Sequence, residues 1–174
     1  MFADGTAVYS EFAKRYITHR QGFFILGPSG IGKSHFVRGQ AAGEQHWIDA
    51  DQLWRKTRAM PAGAWWEQLE VIEAVEQRCD TITAQAKRLG FWMLGSACNW
   101  LQPDAIVIPD WDTHVDYIKQ RELNYDGGAT SDHLAQVENH RREILGWADK
   151  GIPKFDSVDA AINHLQSIYA KTDL

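Results

Sequence analysis

Between residues 23 and 36 the chain reads "FFILGPSGIGKSHF". An apolar run passes into a glycine-rich turn, and the turn into a lysine and a serine. Few structures satisfy all three parts at once. The apolar residues predict a short interior strand, the glycines a backbone path that side chains would obstruct, and "KSHF" the opening of a helix. The spacing is G-x-x-x-x-G-K-[ST], set by Gly27, Gly32, Lys33 and Ser34. In a strand–loop–helix of this kind the amides of Ser29, Gly30, Ile31, Gly32 and His35 turn inward on a chain of phosphates, aided by the positive end of the helix. The expected ligand is ATP with Mg²⁺: Lys33 bridges the β- and γ-phosphates, and the Ser34 hydroxyl holds the metal.

The remaining segments alternate in kind. Val8, Phe12 and Tyr16 fall four apart, the period of an amphipathic helix within residues 1–21. "HWIDAD" reads as a second short strand, residues 64–89 as two helices, and "FWMLGSA" and "DAIVIPD" as interior strands. Residues 113–123 predict a helix, and 132–149 another with Asp132 as its cap. "IPKF" gives a last strand, and "DSVDAAINHLQSIY" a last helix opened by an Asp or Ser. The expected fold is a single α/β domain over residues 1–174, a parallel five-stranded sheet with helices on both faces and a lid loop at 122–132.

Composition narrows the function. A net charge of −5 disfavours a chain whose main role is to coat nucleic acid, although a local basic groove stays compatible with it. Apolar residues never run near 18 in succession, and "MFADGTAVYSEF" lacks the apolar core of a signal peptide, so the expectation is a cytoplasmic protein with no membrane partner. Cys79 and Cys98 lack metal-ligand spacing and are expected reduced and partly buried. His133 and His140 stand seven apart, too far for a helical metal pair, and Ser96 in "LGSAC" lacks the spacing of a nucleophile turn.

Three features turn the expectation from nucleotide binding towards phosphoryl transfer. The strand ending "WIDADQLWR" carries Asp49 and Asp51 two apart, so an extended segment faces both carboxylates the same way. One would orient Mg²⁺ or its water while the other takes a proton from an acceptor hydroxyl; a helix cap is the plainer use of either. "AIVIPD" ends in Asp110 followed by Trp111, without the acid–glutamate pair that activates water in mechanical ATPases. Asp110 is either a residue behind the metal or a turn cap. Finally, Arg121, Arg141 and Arg142 flank the loop "NYDGGATSD", where a closing lid would bring arginines onto the transferring phosphoryl group. Solvated helix faces are the plainer account of Arg141 and Arg142.

This layout resembles the small P-loop kinases within the P-loop NTPase superfamily, and in particular the shikimate and gluconate kinases and the kinase half of phage polynucleotide kinase. The resemblance covers most of residues 22–170 in layout, but only the glycine loop and "DADQLWR" at the level of motifs. It implies that Asp51 is the base and that Asp49 stands on the metal side, with Lys33 and Arg121 acting on the transferring group and Arg141 on the nucleotide. The chain departs from the pattern in three ways. His35 stands where Thr or Ser is common, "FWMLGSA" lacks the glycine trio of shikimate kinases, and one clear arginine precedes the lid.

In that layout the acceptor is covered by "QLWRKTRAMPAGAWWEQ". Arg55, Lys56 and Arg58 there alternate with Trp54, Trp65 and Trp66, cations to grip phosphate and flat rings to stack a base. Core tryptophans beside a solvated basic face are the equal alternative. The acceptor is accordingly expected to be a nucleotide or nucleic acid, of the kind a phage-type hydroxymethylpyrimidine or polynucleotide kinase takes. A small hydroxyl-bearing metabolite, sugar- or shikimate-like, and an ATPase or binding module without an acceptor are the alternatives.

Overall fold

A computed structural model describes residues 5–124 and 128–172. Among them are five strands: β1 (Phe23–Leu26), β2 (Trp47–Asp49), β3 (Trp92–Gly95), β4 (Ala105–Val107) and β5 (Lys154–Phe155). They form one parallel sheet in the order β2-β3-β1-β4-β5. The helices are α1 (Gly5–Ala13), α2 (Lys33–Gly39), α3 (Ala50–Lys56), α4 (Leu69–Arg88), α5 (Trp111–Glu122), α6 (Leu134–Asp149) and α7 (Val158–Lys171). Strand and helix alternate along most of the chain, as the sequence predicts for a parallel α/β sheet.

By its internal contacts the chain divides into two compact units. The first comprises Met1–Phe24 and Gly39–Gln102, the second Ile25–Arg38 and Pro103–Leu174.

In the first unit, β2 and β3 pair in parallel register, Trp47 opposite Trp92 and Asp49 opposite Leu94. Their residues are buried throughout, the mark of strands covered on both faces. Trp54 of α3 is fully enclosed. Its indole N–H donates to the Thr83 hydroxyl at 2.9 Å, and its ring meets Phe24 edge-on at 6.4 Å between centroids. Gly95 is required there, because a Cβ would lie 2.5 Å from the Trp54 ring. Where the sequence suggests two helices over 64–89, one 3₁₀ turn (Trp65–Glu67) precedes the single 20-residue α4. Val75, Cys79, Ile82 and Ala86 recur along its buried face at three- and four-residue spacing.

In the second unit, β1 pairs with β4, Ile25 opposite Ala105, and β4 with β5, Ile106 opposite Lys154. Helix α7 turns Val158, Ala161, Ile162 and Leu165 inward. Its cap is Ser157, whose hydroxyl accepts from the Ala160 amide at 3.2 Å. Helix α6 starts two residues later than the sequence suggests. Thr130, not Asp132, is the capping residue: its side chain accepts from the amide of Asp132 at the opening of the 3₁₀ turn Ser131–His133 that leads into α6. Ile118, Ala129 and Val137 form a buried cluster with Trp111 and Leu134 against it, fastening α5, this turn and α6 together.

Candidate functional site

The glycine loop lies wholly within the second unit, between β1 and α2. Gly30 and Gly32 take φ of +87° and +95°, which residues with a Cβ rarely adopt. Gly30 is doubly constrained, since a Cβ there would approach Ile118 Cγ1 to 2.6 Å. Helix α5 therefore packs directly on the loop. The Lys33 ammonium curls over the loop and donates to the carbonyls of Gly27 at 2.8 Å and Pro28 at 2.5 Å. Ile31 is buried, whereas Ser34 and His35 lie towards solvent on the first turn of α2.

Helices α5 and α6 bring three polar groups to the loop. His114, fully buried, places Nε2 2.6 Å from the Ser29 carbonyl and Nδ1 3.0 Å from a guanidinium nitrogen of Arg141. Arg121, two turns on, donates to the Ser29 hydroxyl at 3.2 Å and to the carbonyl of Ala129. The Ala129 amide reaches the same hydroxyl at 3.3 Å. Burial, with the charges of Arg141, Lys33 and Arg121, lowers the His114 pKa to about 4; its bond to Ser29 only partly offsets this. Arg141 also sits over the Trp111 ring, 5.4 Å from its centroid.

Arg141 faces a cleft of about 400 Å³ as well, shared with Ile108, Pro109, Asp110, Leu145 and Lys154. This cleft opens beyond the carboxyl ends of β4 and β5, the edge where parallel α/β sheets hold ligands. Asp110 proves to be the cap of α5. Its carboxylate accepts from the Thr113 amide at 2.9 Å and the Thr113 hydroxyl at 2.6 Å, and both bonds hold its pKa below the usual range.

The expected lid spans residues 122–132, and 125–127 of it lie outside the described residues. On either side of them the chain is tied down. The Glu122 carboxylate accepts from the Ser131 amide and, at 2.8 Å, from its hydroxyl, while Arg121 binds the Ala129 carbonyl. Gly128, at φ +82°, passes so near the Arg121 guanidinium that a Cβ would meet it at 3.1 Å. Arg142 pairs with Glu138 at 3.8 Å on the surface of α6, the solvated use of that residue.

The acidic segment belongs to the first unit and departs from expectation. The strand stops at Asp49, and Asp51 already stands in the first turn of α3. An extended segment facing both carboxylates one way is therefore not formed. The reason is local: Asp49 caps α3, its Oδ1 accepting from the Asp51 amide at 3.1 Å, and this turns the chain out of the strand. Asp49 is buried, while the Asp51 carboxylate is partly exposed, 3.9 Å from Arg55.

The tryptophans need a second correction. Trp54 is fully enclosed and Trp65 is buried, so neither offers a face for stacking. Arg55 and Lys56 are exposed, and Lys56 pairs with Glu11 at 3.0 Å. Arg58 holds φ of +61°, unusual for a residue with a side chain.

Two buried polar residues escape sequence reasoning. His114 is one; its position four before Ile118 and seven before Arg121 puts it on the buried stripe of α5, and that spacing is the signal that could have found it. Asp80 is the other. Its Oδ2 accepts from the amides of Asn99, Trp100 and Leu101 at 2.9, 2.6 and 3.0 Å, so a carboxylate from α4 organises the loop after β3. Cys98 in that loop donates its thiol to the Leu101 carbonyl at 2.8 Å, and burial raises the pKa of both free thiols, Cys79 and Cys98.

Among the described residues, no group of three or more His, Cys, Asp or Glu is placed to hold a metal ion, and no helix is long and apolar enough to cross a membrane. No protein-family model and no curated protein sequence matches this chain.

Proposed function

We propose that the chain is an ATP-dependent phosphotransferase of the P-loop kinase type. The observation that carries this reading is the fastening of the glycine loop. A G-x-x-x-x-G-K-S loop with two left-handed glycines is held by Ile118, His114 and Arg121 of one helix. Such fastening fixes the shape of the loop in advance, which suits a backbone that presents its amides to phosphate oxygens. The amides of residues 29–34 would receive the β- and γ-phosphates, with Lys33 swinging from its carbonyl partners to the phosphate oxygens. The cleft beside Arg141 would take the remainder of the nucleotide between the apolar Ile108, Pro109 and Leu145 and the cations Arg141 and Lys154, with the carboxylates of Asp110 and Asp156 also on its wall.

A magnesium ion would be held by the Ser34 hydroxyl. A single hydroxyl open to solvent suits this ion, which keeps most of its water and takes its other ligands from phosphates. When bound, it would neutralise charge on the phosphate oxygens. In the transfer itself, an acceptor hydroxyl oxygen attacks the γ-phosphorus, the bond from that phosphorus to the β,γ-bridging oxygen breaks, and ADP leaves. Asp51 takes the hydroxyl proton, and Arg121 faces the charge on the moving group. The acceptor would be a nucleotide or nucleic acid, gripped by Arg55 and Arg58. The burial of Trp54 and Trp65 leaves that argument the cations and the half-buried ring of Trp66.

One observation favours a second reading, a nucleotide-dependent switch or ATPase without an acceptor. Asp49 is engaged as a helix cap and Asp51 lies beside Arg55, structural uses for both carboxylates. Transfer of γ-labelled phosphate from ATP to a pool of nucleotides, oligonucleotides, sugars and shikimate separates the two. We expect a labelled acceptor, with the signal abolished in Asp51→Asn while ATP still binds, and with both binding and transfer damaged in Lys33→Ala, transfer by about 10²–10³-fold. Hydrolysis indifferent to every acceptor and unchanged in Asp51→Asn supports the switch. Wild-type protein that binds no nucleotide with Mg²⁺ ends both readings.

A further inference from the structure

The glycine loop and the cleft beside Arg141 are joined by one side chain. The Ser29 carbonyl has no proton to give, so the 2.6 Å contact fixes a hydrogen on His114 Nε2. Nδ1 is then a bare lone pair, and Arg141, which can only donate, supplies its hydrogen at 3.0 Å. Both ring nitrogens are occupied and the tautomer is determined. The ring cannot turn over without setting C–H groups against both partners, and it cannot change tautomer without setting a lone pair against a carbonyl oxygen and an N–H against a guanidinium.

The charged groups facing this imidazole are cationic: Arg141 from α6, Lys33 from the start of α2 and Arg121 from its own helix. Burial foremost, and these cations after it, keep the ring neutral, as the bond from Arg141 requires. The guanidinium itself is confined, with the Trp111 ring on one side, His114 at one nitrogen and the cleft ahead. The arrangement goes beyond packing, since any apolar residue of similar size would fill the space under Gly30.

We propose that His114 is a positioning residue that ties the shape of the phosphate loop to the aim of Arg141 into the cleft, so that the two ends of a bound nucleotide are recognised jointly. The inference rests on the nucleotide-binding reading above. His114 touches no ligand; it acts through Ser29 on one side and Arg141 on the other. Whatever firms the loop also firms the guanidinium, and loosening either weakens the grip on the other end of the ligand.

Calorimetric titration with ATP and Mg²⁺ tests this in wild type, His114→Leu, His114→Asn, His114→Gln, Arg141→Ala and the double variant His114→Leu/Arg141→Ala. Gln offers an N–H for Ser29 and an oxygen for Arg141, Asn an oxygen at the Nδ1 position alone, and Leu neither. We expect Kd to rise about 10-fold in His114→Leu, equivalent to about 1.4 kcal/mol, less in Asn, and to recover in Gln. In the Arg141→Ala background the His114→Leu change should have little further effect, since it acts through the group removed. As pH falls below about 5, affinity should drop further in wild type than in His114→Gln, whose remaining decline is that of ATP and Mg²⁺ themselves. Wild-type affinity in His114→Leu, equal loss in Leu and Gln at unchanged melting temperature, or full additivity in the double variant overturns the proposal while leaving nucleotide binding standing. If Leu fails to fold, the Asn and Gln affinities and their pH profiles decide the matter. Absence of ATP binding in the wild type strikes the underlying reading instead.

Discussion

The two units use their buried polar groups differently. In the first, those that are hydrogen-bonded complete structures within the unit, while the Tyr16 hydroxyl and the Trp47 indole N–H are buried without a hydrogen bond. Asp49 caps α3, Trp54 and Thr83 bond inside the core, and Asp80 gathers three amides of the loop after β3. In the second, the buried groups converge on a single loop. His114 and Arg121 both address Ser29, and three cations crowd one neutral imidazole. Hydrogen bonds that satisfy a local geometry stabilise and ask for no ligand. Like charges gathered around a backbone lower stability unless an anion offsets them, as the proposed phosphate ligand would. On the proposed reading, the difference assigns phosphate recognition to the second unit.

The strongest way to break this comparison is through Trp54. If the ring serves only the core, Trp54→Ala removes a fully buried indole and the N–H that the Thr83 hydroxyl accepts while donating to the Cys79 carbonyl, at a cost of about 3–5 kcal/mol. For a chain of this size the melting temperature should fall by roughly 10 °C or more in a scanning-fluorimetry trace. A variant that melts within a few degrees of wild type, yet loses acceptor binding, would return Trp54 to the surface role that its neighbours Arg55 and Arg58 suggest.

That residue also shows where the sequence is legible and where it is not. The strands are readable because apolar runs such as "FFIL" and "AIV" have one use in a parallel sheet, and all five form. The glycine-rich turn after β1 is readable because glycines mark a path that side chains obstruct, and Gly30 and Gly32 adopt left-handed conformations there. The tryptophans are not, because an indole is both a large apolar body and a binding surface, and "DQLWRKTR" alone does not say which way Trp54 turns. His114 stays hidden for a related reason. Histidine has no preferred depth, and its partners, Ser29 and Arg141, are 85 and 27 residues distant. The charge of Asp49 draws the eye to chemistry, although its backbone position, at a strand end before "ADQLW", already makes it a helix cap.

Acid sharpens the comparison with a smaller effect. Each unit holds one histidine neutral. In the first it is His19, stacked 3.6 Å from the Trp92 ring and 3.2 Å from the His46 ring nitrogen; in the second it is His114. Burial brings both pKa values down from 6.5 to about 4, with His46 adding to the shift of His19. A group whose folded pKa is depressed releases protons on folding, so stability from these two is present above about pH 6.5 and is lost as pH falls towards 4. For the fully buried His114 the loss is on the order of 3 kcal/mol; for His19, partly open to solvent, screening makes it less. Urea midpoints measured from about pH 7 down to about pH 4 should decline, and His114→Gln should flatten the decline more than His19→Gln. Near neutral pH neither Gln variant should alter ATP affinity, and only His114→Gln should change how that affinity depends on pH. Equal flattening by both, or an affinity change in His19→Gln, would mean that the two units do not divide their polar groups as described.

The finest test falls on Asp49, where the structural and chemical uses meet in one carboxylate. Asp49→Ala removes the acceptor for the Asp51 amide and should cost about 1 kcal/mol, a shift of roughly 2–4 °C. Asp49→Ser keeps an oxygen that can cap and should restore most of that. The charge is not restored. If Asp49 also stands on the metal side of the phosphates, phosphoryl transfer in Asp49→Ser stays depressed while its melting temperature recovers, and the dependence of the rate on Mg²⁺ concentration moves upward. If rate and stability recover together, the carboxylate does nothing beyond starting a helix. The first unit then contributes no metal-side charge from this position, and recognition of the phosphates rests with the glycine loop and the helices that hold it.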